Sequence, residues 1–403
     1  MSRINGIFTM SSVSRLWCGL LWLVTASLAY TSLSDESLRH IPNGDSDFDI
    51  HKGALLAPIL IPRVPGTPGS AKTQRHFIDF FAKNLPTWTL ETHNSTSTTP
   101  ATGGRQIPFT NLIFRRDPPW ANPGDVGRLT LVAHYDSLYK PEGFIGATDS
   151  AVPCAILMHV ARSVDTALTR KWDSMQANGQ VGGGLQEEKG IQILFIDGEE
   201  AWETWTDTDS LYGSRRVLSP RVTGRKGADR VYRALAESWG SSTHDGFSTF
   251  STQLESISLF LLLDLLGAPK PSVPSYFEKT HWAYQNLATA EERLRRLGLL
   301  ETKAEPGPFL PESGKKSYQF IEGMYVLDDH VPFLQRGVDV LHIIPTPFPP
   351  VWHTMDDDGA HLHVPTARDW ARIVTAFTAE WLELDGLLTP GQRASKYDEK
   401  LEL

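Results

Sequence analysis

A chain of 403 residues that is 40 % hydrophobic and 21 % charged can bury a large core, which excludes a disordered chain or a collagen-like one. Its 38 Lys and Arg against 47 Asp and Glu give a formal net charge of −9, the opposite sign to that of a general nucleic-acid binder. No nucleic-acid partner is expected.

The first element is apolar. Arg3 and Arg15 precede Leu16, Trp17, Leu20, Leu21, Trp22, Leu23 and Val24, and Ser27 and Ala29 supply small residues for a peptidase. Residues 1–29 read as a secretory signal cleaved after Ala29, which predicts a secreted protein. Apolar character continues to Leu33, so an uncleaved signal anchor is the alternative. Cys18 leaves with the signal, and Cys154 then has no partner for an internal disulfide. Asn94-Ser95-Thr96 is a glycosylation sequon.

Residues 30–70 are expected to be irregular, broken by Pro58, Pro62, Pro65 and Pro68. A domain is expected over 71–386, followed by a polar tail at 387–403. Phe77, Ile78, Phe80, Phe81 and Leu85 give a helical face over 71–85. Strand-like runs follow at 88–92 and 109–114. Leu129 to Ala133 has the continuous apolar character of a buried central strand. Val152, Ile156, Val160 and Val164 predict a helix over 151–165. Further buried strands are expected at 191–196, 258–263 and 338–344, with helices at 228–238, 281–297 and 364–384. This alternation predicts an α/β layered sheet with helices on both faces, and the Gly182 to Gly184 tract reads as a loop within it.

Acids and histidines collect where the predicted strands end, the edge at which open α/β sheets hold ligands. Strand 129–133 runs into His134-Tyr135-Asp136, and a loop then carries Asp149. Strand 191–196 ends in Asp197-Gly198-Glu199-Glu200, strand 258–263 in Asp264, and strand 338–344 leads to Trp352-His353. Imidazole and carboxylate donors converging from several elements suit zinc. In a Glu-Glu pair one carboxylate can bind metal while the other stays free for proton transfer. Taken singly, each motif is equally a polar turn, a solvated acidic pair or a helix cap. The Gly-x-Ser-x-Gly elbow, the His-Glu-x-x-His helix, the Walker loop and the Rossmann fingerprint are all absent from the sequence.

The blocks His134 to Ser137, Gly146 to Pro153, Asp197 to Glu200, Asp209 to Arg215, Leu262 to Gly267 and Asp328 to Thr354 resemble the animal-type glutaminyl-peptide cyclotransferases. The resemblance spans roughly 71–384. It implies a single zinc-aminopeptidase-like α/β domain around a mixed, mostly parallel sheet. It also implies one zinc per chain held by Asp149, Glu200 and His353. Glu199 would be the general acid/base, with Asp264 and Asp328 beside it as catalytic carboxylates. Trp205, Phe348, Trp352, His342 and Leu327 would form the substrate site. The implied substrates are peptides beginning with Gln, or with Glu, and the implied state is a monomer. Ala133 stands where vertebrate members have a Cys bridging to the counterpart of Cys154, Leu327 replaces a Gln, and Pro350 replaces a Glu. A secreted zinc aminopeptidase of the same superfamily would use the same donors, with His134 at a second metal or behind the first. A non-enzymatic ectodomain would be expected to have lost one of them.

Overall fold

The computed structural model describes residues 30–181, 188–214 and 235–388. The signal reading of 1–29 with Cys18, the glycine tract at 182–184 and most of the predicted 228–238 helix lie outside those residues, as does the tail from 389.

Six strands form one sheet: β1 (Thr89–Thr98), β2 (Gln106–Arg116), β3 (Val126–His134), β4 (Glu188–Ile196), β5 (Ile257–Leu263) and β6 (Val340–Ile343), in the spatial order β1-β2-β4-β3-β5-β6. β1, β2 and β4 pair antiparallel, whereas β4-β3, β3-β5 and β5-β6 pair parallel. The sheet is therefore mixed and mostly parallel. All nine residues of β3 are buried, Arg128, Thr130 and His134 included, as suits a mainly apolar strand covered on both faces.

Side chains alternate across the sheet and meet helices on either side. On one face Phe114 and Phe195 meet Phe81 and Phe77 of α2 (Pro68–Asn84), with stacked ring centroids 3.8 Å (Phe81–Phe114) and 4.0 Å (Phe77–Phe195) apart. On the other, Ile113, Val132, Leu194, Phe260 and Leu262 pack with Trp239 of α4 (Leu235–Ser241) and Phe333 of α6 (Val331–Leu334). Three long helices, α3 (Val152–Ala177), α5 (His281–Arg296) and α7 (Val364–Trp381), pack together. The stretch Ala147–Ala177 is long and apolar enough to cross a membrane by composition, but most of it is buried inside the fold, as befits a core helix.

The segment before 71 is made of short helices and turns, and α2 begins within it at Pro68. It carries α1 (Asp35–Arg39) and buries Leu38, Ile41, Phe48, Leu55 and Leu56 in the main body. Leu33 N donates to Glu380 Oε1 of α7 at 2.9 Å. Its apolar residues follow no period because short turns, not one helix, present them inward. At the other end α7 stops at Trp381, and Leu388 is still buried, so the body runs slightly past 386.

Candidate active site and metal centre

The parallel strands β4, β3, β5 and β6 are neighbours, so their carboxyl ends open onto one edge and the loops leaving them converge there. Two glycines allow the tight exits. Gly198, at φ +78°, lies where a Cβ would come within 2.4 Å of the Phe109 ring. Gly146, at φ +66°, would bring a Cβ to 2.1 Å from the Asp149 carbonyl.

Asp136 holds the Glu pair: its two carboxylate oxygens accept from the Glu199 and Glu200 N–H groups, each at 3.1 Å. Asp209 does the same for the next loop, accepting from the N–H groups of Trp202, Glu203 and Thr204 at 2.8–2.9 Å and from the Tyr212 hydroxyl at 2.7 Å. Asp357 accepts from Thr148 N–H at 2.7 Å beside Asp149. Arg63, wholly buried, donates to the carbonyls of Tyr135, Ile145 and Gly146 at 2.6, 2.7 and 3.0 Å. It thereby ties the β3 exit to the Asp149 loop.

Asp149, Glu200 and His353 bring one donor atom each to within 4.8 Å of one another. His353 Nε2 is 3.6 Å from both Asp149 Oδ2 and Glu200 Oε2. That is too long for a hydrogen bond and close to the roughly 3.3 Å between two donors of a tetrahedral zinc. Asp149 Oδ2 and Glu200 Oε1 are buried without a hydrogen-bond partner, a costly state unless a cation completes them. His353 sits at φ +56°, in the left-handed region that a non-glycine residue seldom occupies. Burial, with Asp149 adjacent, pushes Glu200 up to about 8. Burial opposes charge on His353, but Glu200 and Asp149 outweigh it and raise its pKa. An imidazole and two carboxylates in this arrangement fit a divalent ion of the zinc type.

A second group shares Asp149. His134 Nε2 lies 3.0 Å from Asp149 Oδ1 and 3.4 Å from Asp264 Oδ1, and its Nδ1 is 3.4 Å from Asp136 Oδ1. The three carboxylates overcome the burial cost and hold His134 well above its usual range, and Ser150 Oγ donates to Asp264. Within this group His134 Nε2 is hydrogen-bonded to Asp149 Oδ1, while His134 Nδ1 is buried without a hydrogen-bond partner.

A cavity of about 800 Å³ opens over the first group. Asp149, Glu199, Glu200, Asp264 and His353 line it together with Trp205, Leu327, Phe348 and Trp352. Trp352 stacks on His353 at 4.0 Å and meets Phe348 edge-on at 4.8 Å. Burial raises Glu199 well above the carboxylate range, and Asp328 and Glu200 add to it against the opposing His134.

The sequence is similar to known proteins over most of its length. Residues 119–378 match the model of peptidase family M28. The glutaminyl-peptide cyclotransferase of Bos taurus is 35 % identical, with 87 % of each chain covered, and a glutaminyl-peptide cyclotransferase-like protein of Bos taurus is 37 % identical over 88 % of this chain and 80 % of its own. The crystal structure of Macrostomum lignano glutaminyl cyclase superposes with a TM-score of 0.68 at 30 % identity, covering 89 % of this chain and 98 % of that one. The chain belongs to the glutaminyl-peptide cyclotransferase family. Its sheet and helices are those of the glutaminyl cyclase fold.

In this cyclotransferase-family chain Asp149, Glu199, Glu200, Trp205, Asp264, Leu327, Phe348, Trp352 and His353 all line the one cavity. His342 and Asp328 differ. Both are buried and neither lines the cavity; His342 Nε2 and Asp328 Oδ2 are hydrogen-bonded at 2.8 Å. All four residues of β6 are buried, and the His342 ring is taken up by Asp328 instead of opening onto the cavity. His134 is likewise beneath the surface. Asn94 is exposed on the edge strand β1, where Thr110 Oγ1 donates to its Oδ1 at 2.9 Å. Cys154 is buried and unpaired; it donates to the His134 carbonyl at 3.2 Å, and burial pushes its thiol up to about 12. Trp202, Lys140 and Val326 line the cavity without having been singled out from sequence. Asp136 and Asp209 sat in the quoted motifs, but their work is on backbone N–H groups, which a motif does not display.

Proposed function

We propose that this protein converts the N-terminal glutamine of peptides to pyroglutamate and releases ammonia. The reading rests on one arrangement: Glu199 lies next to the Asp149–Glu200–His353 group in an aromatic-walled cavity, in a chain of the cyclotransferase family.

Asp149, Glu200 and His353 would hold one zinc ion, which when bound would polarise the γ-carboxamide and stabilise negative charge developing on its oxygen. Glu199 takes a proton from the α-amine as the amine nitrogen bonds to the side-chain carbonyl carbon. The bond from that carbon to the carboxamide nitrogen then breaks, and Glu199 returns the proton, so ammonia leaves and the five-membered ring closes. The raised pKa of Glu199 suits a group that both accepts and donates near neutrality. The attacking amine must be neutral, and a free α-amino group titrates near ~7.7–8.0, so activity should favour neutral to mildly alkaline pH. Trp205, Phe348 and Trp352 pack the aliphatic part of the glutamine and keep water from competing with the amine. Asp264 lines the same cavity, and Asp328 acts from behind on the charge of Glu199. Leu327 borders the bound peptide. An N-terminal Glu would bind in the same place and cyclise with loss of water.

A zinc aminopeptidase is the second reading, favoured by the second donor group His134–Asp149–Asp264. Incubating the protein with a Gln-initiated peptide and weighing the product separates the two. Loss of one ammonia from an intact chain supports the cyclase; loss of a whole residue overturns it. The apolar run at 16–24 and the exposed sequon at Asn94 support export as a glycosylated enzyme after cleavage at Ala29, with a retained anchor as the alternative. N-terminal sequencing and glycosidase treatment of the secreted protein test that placement.

A further inference from the structure

One wall of the cavity continues outward as an apolar loop. Val326 and Leu327 line the cavity, and the chain just before them turns at Ile321–Met324, where Met324 N–H donates to the Ile321 carbonyl at 3.1 Å. Two aromatic residues pin the loop to the body. Tyr325 packs on Phe277 and His330 at 5.2 and 5.6 Å, and Phe320 packs edge-on against His281 at 5.2 Å. The residues between and beyond these anchors face solvent: Ile321 is 61 % exposed, Met324 65 % and Leu327 52 %. Three large aliphatic side chains at every third position, outward on a loop anchored at both ends, are unusual for a surface with nothing to bind.

From this continuity we propose that Ile321, Met324 and Leu327 form a subsite for the residues that follow the N-terminal glutamine, and that it selects peptides with apolar side chains there. The inference rests on the cyclase reading, which fixes the first residue in the cavity and forces the rest of the peptide out through its mouth. Three residues of chain span at most ~11 Å, so Met324 stands within that distance of Leu327 at the cavity. An extended peptide rises ~3.3 Å per residue, so its third to fifth residues travel a comparable distance from the first. Ile321 and Met324 carry no side-chain donor and, the thioether being a weak acceptor, select by apolar area removed from water more than by hydrogen bonds. Met324, unbranched and adaptable, suits a site that accepts several apolar residues rather than one sequence.

The test compares kcat/KM for three amidated substrates: Gln-Ala, Gln-Ala-Ser-Ser-Ser and Gln-Ala-Leu-Leu-Leu. The leucine peptide should exceed the serine peptide about tenfold, the order expected from partial burial of one or two aliphatic side chains. In the double variant Ile321→Ser with Met324→Ser that ratio should collapse toward one while Gln-Ala turns over as in the parent. Both positions are exposed, so the variant should fold. Equal rates for the serine and leucine peptides in the parent, or a ratio that survives the double substitution, would overturn the subsite. If Gln-Ala itself is not cyclised, the functional reading fails first, and the two failures are told apart by that substrate.

Discussion

Arg63 Nε donates to the main-chain carbonyl of Tyr135 at 2.6 Å, so a residue of the proline-rich N-terminal segment fixes the exit of the central strand. The same guanidinium reaches Ile59, Ile145 and Gly146, and every partner within hydrogen-bonding range is a backbone carbonyl. A planar fork with five donors can serve more carbonyls, over a wider spread, than an ammonium with three. Its neighbours place Asp136, which holds the Glu pair, and the loop that presents Asp149.

Replacing this residue, Arg63→Met, should therefore leave several buried carbonyls unsatisfied and lower stability by at least ~3 kcal/mol. Zinc affinity should fall as well, by about 10–100-fold, because the groups that orient metal ligands matter nearly as much as the ligands. Arg63→Lys should recover part of the stability and less of the metal affinity. Denaturant unfolding of the metal-free protein and a zinc titration give the two quantities separately. Unchanged zinc affinity in Arg63→Met would remove Arg63 from the site's support.

Reductant should be without effect. Cys154 is unpaired, wholly buried and bonded to the His134 carbonyl, and the neighbouring Ala133 has no sulfur to offer. With the thiol pushed up to about 12, it is protonated at working pH and inert toward alkylating agents. Equal thermal midpoints with and without reductant, and no labelling of the native protein by iodoacetamide, are the expected results. A lowered midpoint would mean a bridge that the described residues do not contain.

The sheet was legible because β3, β4 and β5 are covered on both faces, which makes the later part of each mainly apolar. β1 was read short: its outer residues Asn94 to Thr98 are Ser, Thr and Asn, polar because an edge strand with one exposed face needs no apolar alternation there. α3 was read to 165 but runs to Ala177, since its later turns face solvent on one side and lose the strict i, i+4 apolar repeat. The cluster of Asp149, Glu200 and His353 could be anticipated because the carboxyl ends of parallel strands are where loops bring side chains together. Arg63, Asp136 and Asp357 were not, because their partners are main-chain groups supplied by distant segments, and Asp209 was not, because its partners are mostly N–H groups of its own loop. His342 was misplaced for a related reason: its neighbour Asp328 belongs to the loop before α6, and only the tertiary fold sets the one behind the other.

Acid should loosen the N-terminal segment. Asp47 Oδ2 pairs with Arg162 and lies 3.4 Å from His159 Nδ1 on α3, and its own carbonyl receives Leu55 and Leu56 N–H. Burial works against the charged carboxylate, but His159 and Arg162 outweigh it and hold Asp47 below the usual carboxylate range. A depressed folded pKa means that the unfolded chain binds the proton more readily. The stability from this pair is then fully present above the unfolded value of ~3.9 and drains away as pH falls below it. Asp47→Asn should cost roughly 1–3 kcal/mol at pH 7, the range for a hydrogen bond to a charged group. The gap between the two proteins should narrow at pH 3. A gap that stays constant from pH 7 to 3 would separate the loss from the charge.

The neighbouring acids of the Glu pair should fail in different ways. Asp136 fixes both backbones through their N–H groups, so the two carboxylates leave the strand end with their positions set and only one faces His353. Glu200 is that one, so Glu200→Gln should lose zinc affinity together with rate, an amide being a much poorer ligand than a carboxylate. Glu199 lines the cavity but is not among the grouped donors, so Glu199→Gln should keep its zinc. It should still bind a Gln-initiated peptide, since the aromatic wall and the metal group are intact, while kcat falls by roughly 10²–10⁴, the usual contribution of a positioned acid/base. KM should change little, because the interaction removed is one made chiefly in the transition state. Metal content by atomic spectroscopy, set beside kcat and KM for each variant, decides the matter. Zinc lost from Glu199→Gln, or near-parental turnover in it, would reverse the assignment of the pair.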